Sequence, residues 1–221
     1  MRWSADYAPL REGLARLVEP WMPRWSLEGR AHLPRRGAWL LASNHLSPLD
    51  PVLWACALER VPHFVADPCV ARWCPGPMLE ALGVIVLSDA RPRFPSLVRR
   101  ARQVLARGEI VAMFPEGLDA FAPTSVSHFH RGMAALWERV GPQDVPLVPG
   151  AIITRQAALV EVPGFVVGRT DGSTLVISAY REVTLRLGPP LQVPVPFSVE
   201  TATVSLEGAI RGLLSGGGGG R

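Results

Sequence analysis

Short apolar runs alternate with helical patterns along most of this 221-residue chain, and this alternation limits the folds that it can adopt. Apolar runs such as residues 38–42 and 110–114 have the length of buried strands. In stretches such as residues 95–106, apolar side chains recur instead at helical spacing. Strands that alternate with helices predict an α/β fold with a mixed, largely parallel central sheet and helices on both faces.

The predicted elements follow this alternation as far as residue 214. Strands are predicted over residues 39–42, 63–66, 84–87, 110–114, 146–153, 162–167, 175–179 and 183–187. Helices are predicted over residues 51–58, 95–106, 131–140 and 199–214. The last three strands follow one another without a helix, so we expect a more antiparallel end of the sheet.

The first residues predict an amphipathic N-terminal helix. Apolar side chains recur there at helical spacing up to Pro20, which breaks the pattern. Their face could lie in a lipid interface or pack on the domain, and the pattern fits both. We predict three parts: an amphipathic segment (residues 1–27), one folded domain (residues 28–214) and a flexible glycine-rich tail (residues 215–221).

The positive charge of the chain is carried by arginine alone. All 23 basic residues are arginine, and the formal net charge is +4. Without lysine, the chain cannot be a Walker-type P-loop protein or an enzyme that forms a Schiff base on its own lysine. A pI near 9.6 favours anionic partners such as a membrane surface. No nucleic-acid partner is expected, because no binding motif accompanies the arginines.

Cysteines and hydropathy indicate the compartment. Three cysteines, Cys56, Cys69 and Cys74, make neither a disulfide framework nor a zinc-ligand pattern. No run reaches the roughly 18 apolar residues of a spanning helix. The charged N-terminus lacks a signal-peptide core. We expect a cytoplasmic protein, peripheral on the inner face of the membrane.

The most informative stretch is a polar turn, residues 42–51, between a predicted strand and a predicted helix. His45 stands at the carboxyl end of that strand, where open α/β sheets bind ligands. The turn allows Asp50 to fold back toward His45, and such a carboxylate fixes the imidazole tautomer and supports the imidazolium. Alternatively, both are turn residues and Asp50 caps the helix, which is the better interpretation of this stretch alone.

Two further stretches have a clear pattern. Residues 110–117 are a buried strand that ends in Pro115-Glu116-Gly117. The Glu116 carboxylate could bond an acceptor hydroxyl, hold a neighbouring loop or cap a turn. Residues 145–149 form a short apolar strand bracketed by two prolines.

Together these stretches resemble the motifs of the glycerolipid acyltransferase family, which includes lysophosphatidic acid acyltransferases. Asn44, His45 and Asp50 match its Asn-His-x4-Asp (HX4D) motif. Phe114 to Gly117 match its Phe-Pro-Glu-Gly motif, and residues 145–149 match its late Val-Pro-x-x-Pro motif. Residues 129–132 resemble its Phe-basic-basic-Gly. The resemblance covers residues 28 to 191.

The resemblance implies an O-acyltransferase of phospholipid biosynthesis that needs no cofactor or metal. His45 would be the general base for an acceptor hydroxyl and Asp50 would orient it. The acyl donor would be acyl-CoA or acyl carrier protein. Backbone N–H groups after His45 are the expected oxyanion donors. The residues expected to bind substrate are Asn44, Phe114, Pro115, Glu116, Gly117, Arg91 and Arg131.

The chain departs from the family pattern at three charged positions. Asp67, Asp89 and Asp119 stand where phosphate-using members often have cations. Carboxylates there would repel a phosphate, which suggests a lyso-aminolipid or glycolipid acceptor. In the alternative, nearby arginines such as Arg91 and Arg93 bind an ordinary lysophospholipid. An acyl thioester hydrolase, with water as acceptor, and a catalytically silent lipid-binding protein are further alternatives.

Overall fold

The helices and strands of the computed structural model alternate as the sequence pattern predicts. The structure describes residues 7–20, 24–72, 76–88, 92–117, 126–154, 157–163, 174–180 and 182–216. Within these ranges the helices are α1 (Tyr7–Val18), α2 (Asp50–Ala57), α3 (Gly76–Ala81), α4 (Arg93–Leu105), α5 (Gly132–Val140) and α6 (Val199–Ser215). The strands are β1 (Trp25–Glu28), β2 (Trp39–Ser43), β3 (Pro62–Ala66), β4 (Ile85–Val86), β5 (Ile110–Met113), β6 (Leu147–Thr154), β7 (Ala157–Pro163), β8 (Thr174–Tyr180) and β9 (Val183–Leu187).

The described strands form a seven-stranded central sheet and a separate hairpin. The order in the sheet is β1-β9-β6-β2-β5-β3-β4, while β7 and β8 pair only with each other. The five strands from β6 to β4 are parallel, β9 is antiparallel to β6, and β1 is parallel to β9. This arrangement confirms the prediction of a mixed, largely parallel sheet.

Helices cover both faces of this sheet because its central strand is apolar on both sides. In β2, Leu40 and Ala42 belong to the core formed with α4, α5 and α6. Trp39 and Leu41 point the other way, into the core formed with α2. All five residues of β2 are buried, which explains why residues 39–42 are a continuous apolar run.

The N-terminal helix α1 packs on the domain. Leu14 is buried against Val52 and Cys56 of α2. The Tyr7 hydroxyl donates a hydrogen bond to the Ala55 carbonyl. Of the two interpretations of this amphipathic face, the structure therefore supports packing on the domain. None of the helices in the described ranges is long and apolar enough to cross a membrane.

Several elements differ from the predicted ones. Strand β1 and helix α3 were not predicted, and the boundary predicted after residue 27 falls inside β1. Strand β7 begins at Ala157, five residues before the start of the strand predicted over residues 162–167. Residues 164–167 of that predicted strand lie outside the described residues. β1 has an alternating burial pattern and pairs with a strand more than 150 residues later, so its own four residues carry little signal.

Candidate active site

A tight turn between β2 and α2 places His45 and Asp50 in contact. The Nδ1 atom of His45 lies 2.9 Å from Oδ2 of Asp50. The same oxygen accepts the backbone N–H groups of Leu46 at 2.6 Å and Ser47 at 2.8 Å. Asp50 is the first residue of α2 and is fully buried. One carboxylate therefore closes the turn and also orients the imidazole.

The plane of the imidazole is set by an aromatic stack. The ring of His45 lies on Phe114, with ring centroids 3.9 Å apart and an interplanar angle of 8°. Phe114 stacks in turn on Phe64 of β3, with centroids 4.9 Å apart. Because Asp50 accepts at Nδ1, the neutral imidazole carries its hydrogen there and its lone pair on Nε2. Nε2 is thus the atom that can accept a proton from a substrate.

Glu116 links the His45 turn to a second loop. Its Oε1 accepts the His45 backbone N–H and its Oε2 accepts that of Ser127, each at 2.8 Å. Burial raises the pKa of this carboxyl, and the negative charge of Asp50 acts in the same direction. The two N–H bonds and His45 oppose the shift only in part. Glu116 was expected to bond an acceptor hydroxyl, hold a neighbouring loop or cap a turn. Its contacts show that it holds a neighbouring loop.

Asn44 ties the turn to strand β6. Its amide oxygen accepts the Ile152 N–H at 2.7 Å, and its Nδ2 donates to the Ile152 carbonyl at 3.1 Å. This pair of bonds imitates a strand residue and extends the β2–β6 pairing beyond Ser43. Asn44 is only 1% exposed. Its side chain therefore holds the turn, in place of the substrate contact expected from the sequence.

The Phe-Pro-Glu-Gly stretch forms a turn after β5. Pro115 is buried, and its carbonyl accepts the His130 N–H at 2.9 Å. Gly117 is exposed and has φ = +63°, a conformation that favours glycine. A Cβ at Gly117 would also stand 3.1 Å from the His130 ring. The turn thus places the loop of residues 126–130 beside the His45 turn.

Of the two predicted substrate-binding arginines, the structure describes Arg131, which lies against α6. Arg131 is exposed, and its guanidinium lies 3.6 Å from the Glu200 carboxylate of α6. Arg91 lies outside the described residues, as do Asp89 and Asp119. The structure therefore brings together His45, Asp50, Asn44, Phe114 and Glu116 from the predicted set.

Asp67, one of the unexpected carboxylates, is paired with a cation. Its Oδ2 lies 3.1 Å from Nη1 of Arg93, and its Oδ1 accepts the Cys69 N–H at 3.0 Å. Burial raises the pKa of Asp67, but the Cys69 bond and Arg93 outweigh it and hold the pKa below its usual value. The charge of Asp67 is therefore compensated within the protein.

Some of the expected oxyanion donors are already engaged within the turn. The backbone N–H groups of His45, Leu46 and Ser47 already donate to Glu116 and Asp50. They hold the turn together, so they are not available to a tetrahedral intermediate. The sequence did not predict three contacts at this site. They are the stacking of Phe64 on Phe114, the bond from Ser127 to Glu116 and the bonds between Asn44 and Ile152. Within the described ranges no His, Cys, Asp and Glu side chains are grouped as a metal site.

The turn after β2 thus brings a histidine and an aspartate into contact at the carboxyl edge of a mostly parallel α/β sheet. Such a pair is typical of enzymes that use general acid–base catalysis. A family model described as Acyltransferase matches residues 24–153, more than half of the chain. The chain belongs to this acyltransferase family, which confirms the predicted family and the prediction of an enzyme.

A solved structure supports the fold. The chain is similar to the crystal structure of the 1-acyl-sn-glycerophosphate (LPA) acyltransferase PlsC from Thermotoga maritima, with a TM-score of 0.60 and 18% sequence identity. The match covers 95% of this chain and 82% of that one. Among curated proteins, no match was found.

Proposed function

We propose that this protein transfers a fatty acyl group from acyl-CoA or acyl carrier protein to a hydroxyl of a lysophospholipid. The 2.9 Å contact between His45 and Asp50 carries the proposal, because it prepares an imidazole to act as a general base. Membership of the acyltransferase family supports the reaction type.

In the proposed reaction, His45 and Asp50 have separate roles. Nε2 of His45 takes the proton of the acceptor hydroxyl as its oxygen attacks the thioester carbonyl carbon. Asp50 stabilises the imidazolium that forms. The tetrahedral intermediate then collapses, the C–S bond breaks, and the leaving thiolate takes the proton from His45. In this scheme the enzyme needs no cofactor, metal or acyl-enzyme intermediate.

The proposed acceptor carries a phosphate. The Arg93–Asp67 pair supports this choice, because it compensates one of the carboxylates that would repel a phosphate. The case for a lyso-aminolipid or glycolipid then rests on Asp89 and Asp119, both outside the described residues. The similar PlsC is a 1-acyl-sn-glycerophosphate (LPA) acyltransferase, and its named substrate belongs to the phosphate class.

The proposed location is the inner face of the membrane, without a spanning helix. Exposed arginines of α4 support this location, since Arg99, Arg100 and Arg102 all face solvent. Each basic residue near an anionic surface contributes about 1 kcal/mol to binding.

The first experiment compares acceptors on purified wild-type protein and His45→Ala. With palmitoyl-CoA and lysophosphatidic acid, we expect free CoA and diacyl product in equal amounts. His45→Ala should lower this rate by about 10²- to 10⁴-fold, because the base is lost. Circular dichroism should be unchanged, since His45 is at the edge of the core.

Each alternative predicts a different result in the same assay. A faster rate with a lyso-aminolipid or glycolipid would contradict the phosphate acceptor. CoA release without any acceptor would indicate a thioester hydrolase. Absence of turnover with every acceptor, or a near-native rate for His45→Ala, would contradict the proposed reaction.

A further inference from the structure

A cavity lies at the opposite edge of the sheet from His45. Its floor includes Trp39 and Ile110, the first residues of the parallel strands β2 and β5. Its walls come from the end of α2 and from the loop before β2, and its volume is about 390 Å³. This volume is within the range of small-molecule sites. Neither the proposed reaction nor the family motifs use this cavity.

The lining of the cavity is strongly cationic. Arg30, Arg35 and Arg60 line it together with one acidic residue, Glu59. Among the residues that the structure describes, neither Arg30 nor Arg35 pairs with a carboxylate. The rest of the lining is apolar and consists of Leu33, Pro34, Trp39, Ala57, Leu58 and Ile110.

Arg60 is held in place by three backbone carbonyls. Its Nη1 donates to the carbonyls of Gly37 at 2.7 Å and Gly108 at 2.6 Å, and its Nη2 donates to that of Pro34 at 3.1 Å. Carbonyl groups carry no net charge. Partial burial lowers the pKa of Arg60, and the negative charge of Glu59 opposes this shift only in part.

The floor contributes a donor that has no partner. Trp39 is 1% exposed, and its indole Nε1 makes no hydrogen bond within the described structure. Buried polar groups are nearly always bonded, so an unpaired indole N–H on a residue that lines the cavity is unusual. Charge and apolar surface occur in the same small space.

We propose that this cavity binds an amphipathic organic anion, in which one carboxylate or phosphate group faces the arginines and an apolar body lies against the half-buried Leu33 and Pro34. Fatty acids and alkyl phosphates both have this chemistry. The arginines provide the recognition of charge, and Leu33 and Pro34 provide apolar area that a ligand can cover.

Calorimetric titrations with decanoate and decyl phosphate, below their micelle concentrations, test this site. We expect wild-type protein to bind at least one of them, and decanol to bind at least about tenfold more weakly because it has no charge. The anion that binds more tightly identifies the natural headgroup. The double variant Arg30→Glu/Arg35→Glu should weaken anion binding by about tenfold or more.

Arg36→Glu is the matched control, because Arg36 is exposed beside Arg35 but does not line the cavity. It should alter binding by less than about twofold. His45→Ala should retain full binding, which separates this site from the proposed active site.

In ¹⁵N spectra, the indole signal that disappears in Trp39→Phe should shift on addition of the anion.

Several outcomes would overturn the proposal. They are the absence of anion binding to the wild type, equal binding of decanol, equal losses in Arg36→Glu and the double variant, and loss of binding in His45→Ala. None of these measurements depends on acyl transfer, so failure of the proposed function leaves the test of the cavity intact.

Discussion

At both edges of the central sheet, charged side chains hold the connecting loops, but the charges at the two edges are opposite. At the carboxyl edge, where β2 and β5 end, Asp50 and Glu116 accept backbone N–H groups from the connecting loops. At the amino edge, where the same strands begin, Arg60 donates to three loop carbonyls. Each edge is therefore organised by buried or half-buried charge that bonds loop backbone.

The two edges differ in what their charged groups contact besides the loop backbone. At the carboxyl edge, Asp50 also bonds His45, so the group that shapes the loop prepares the base. At the amino edge, Arg60 bonds the loops and two further arginines, Arg30 and Arg35, line the cavity beside it. The first edge is the proposed site of proton transfer, and the second is the proposed site of anion binding.

The largest effect is expected for Asp50→Asn at the carboxyl edge. An amide oxygen can still accept from Leu46 and Ser47, but it brings no charge to stabilise the imidazolium. We expect the turnover rate to fall by about 10²- to 10⁴-fold, and the free energy of unfolding to fall by about 1–3 kcal/mol because the new amide nitrogen is buried without an acceptor. Initial rates and urea unfolding measure the two effects.

A near-native turnover rate for Asp50→Asn would mean that Asp50 only shapes the turn. That was the alternative interpretation of the sequence stretch taken alone. The two edges would then no longer differ in catalytic role, although the loop contacts at each edge would remain.

A smaller effect on turnover is expected for Glu116→Gln. The glutamine amide group must face one of the two N–H donors, His45 or Ser127, so the free energy of unfolding should fall by about 1–3 kcal/mol. Because the pKa of Glu116 is raised in the folded state, the folded protein binds this proton more tightly than the unfolded chain. Its ionisation therefore costs stability as the pH rises above the usual value of 4.5.

The stability advantage of the wild type over Glu116→Gln should therefore be greatest near pH 4.5 and smaller at neutral pH. Urea unfolding of both proteins across this range measures the difference. An advantage that grows with pH would show that the N–H bonds, and not burial, dominate the pKa of Glu116.

Sequence reasoning was most successful where the signal was local. The five-residue separation of His45 and Asp50 allowed their contact, and continuous apolar runs predicted β2 and β5. The partners of Asn44 and Glu116 could not be predicted in this way. Asn44 bonds Ile152, 108 residues away, and Glu116 bonds Ser127 in a loop without periodicity. Spacing likewise does not reveal that Glu116 and Asp50 accept the N–H groups of residues 45–47.

At the amino edge, Arg60→Met should lower stability with little effect on turnover. Methionine keeps the apolar stem but leaves the Gly37, Gly108 and Pro34 carbonyls without their donor. We expect a loss of about 1–3 kcal/mol in the free energy of unfolding, with Arg36→Met close to the wild type. A fall in turnover as large as that of Asp50→Asn would show that the two edges are not separable.

The smallest effects come from a matched pair of glycines, one at each edge. Gly108 has φ = +75° and Gly117 has φ = +63°, so alanine is strained at both, by about 1 kcal/mol. A Cβ at Gly108 meets nothing within 4 Å, whereas one at Gly117 lies 3.1 Å from His130. Gly117→Ala should therefore be the less stable variant in thermal unfolding, and it alone should slow turnover, because its loop adjoins Glu116. Equal losses in both properties would mean that backbone strain, and not the packing of the carboxyl-edge loops, determines the effect.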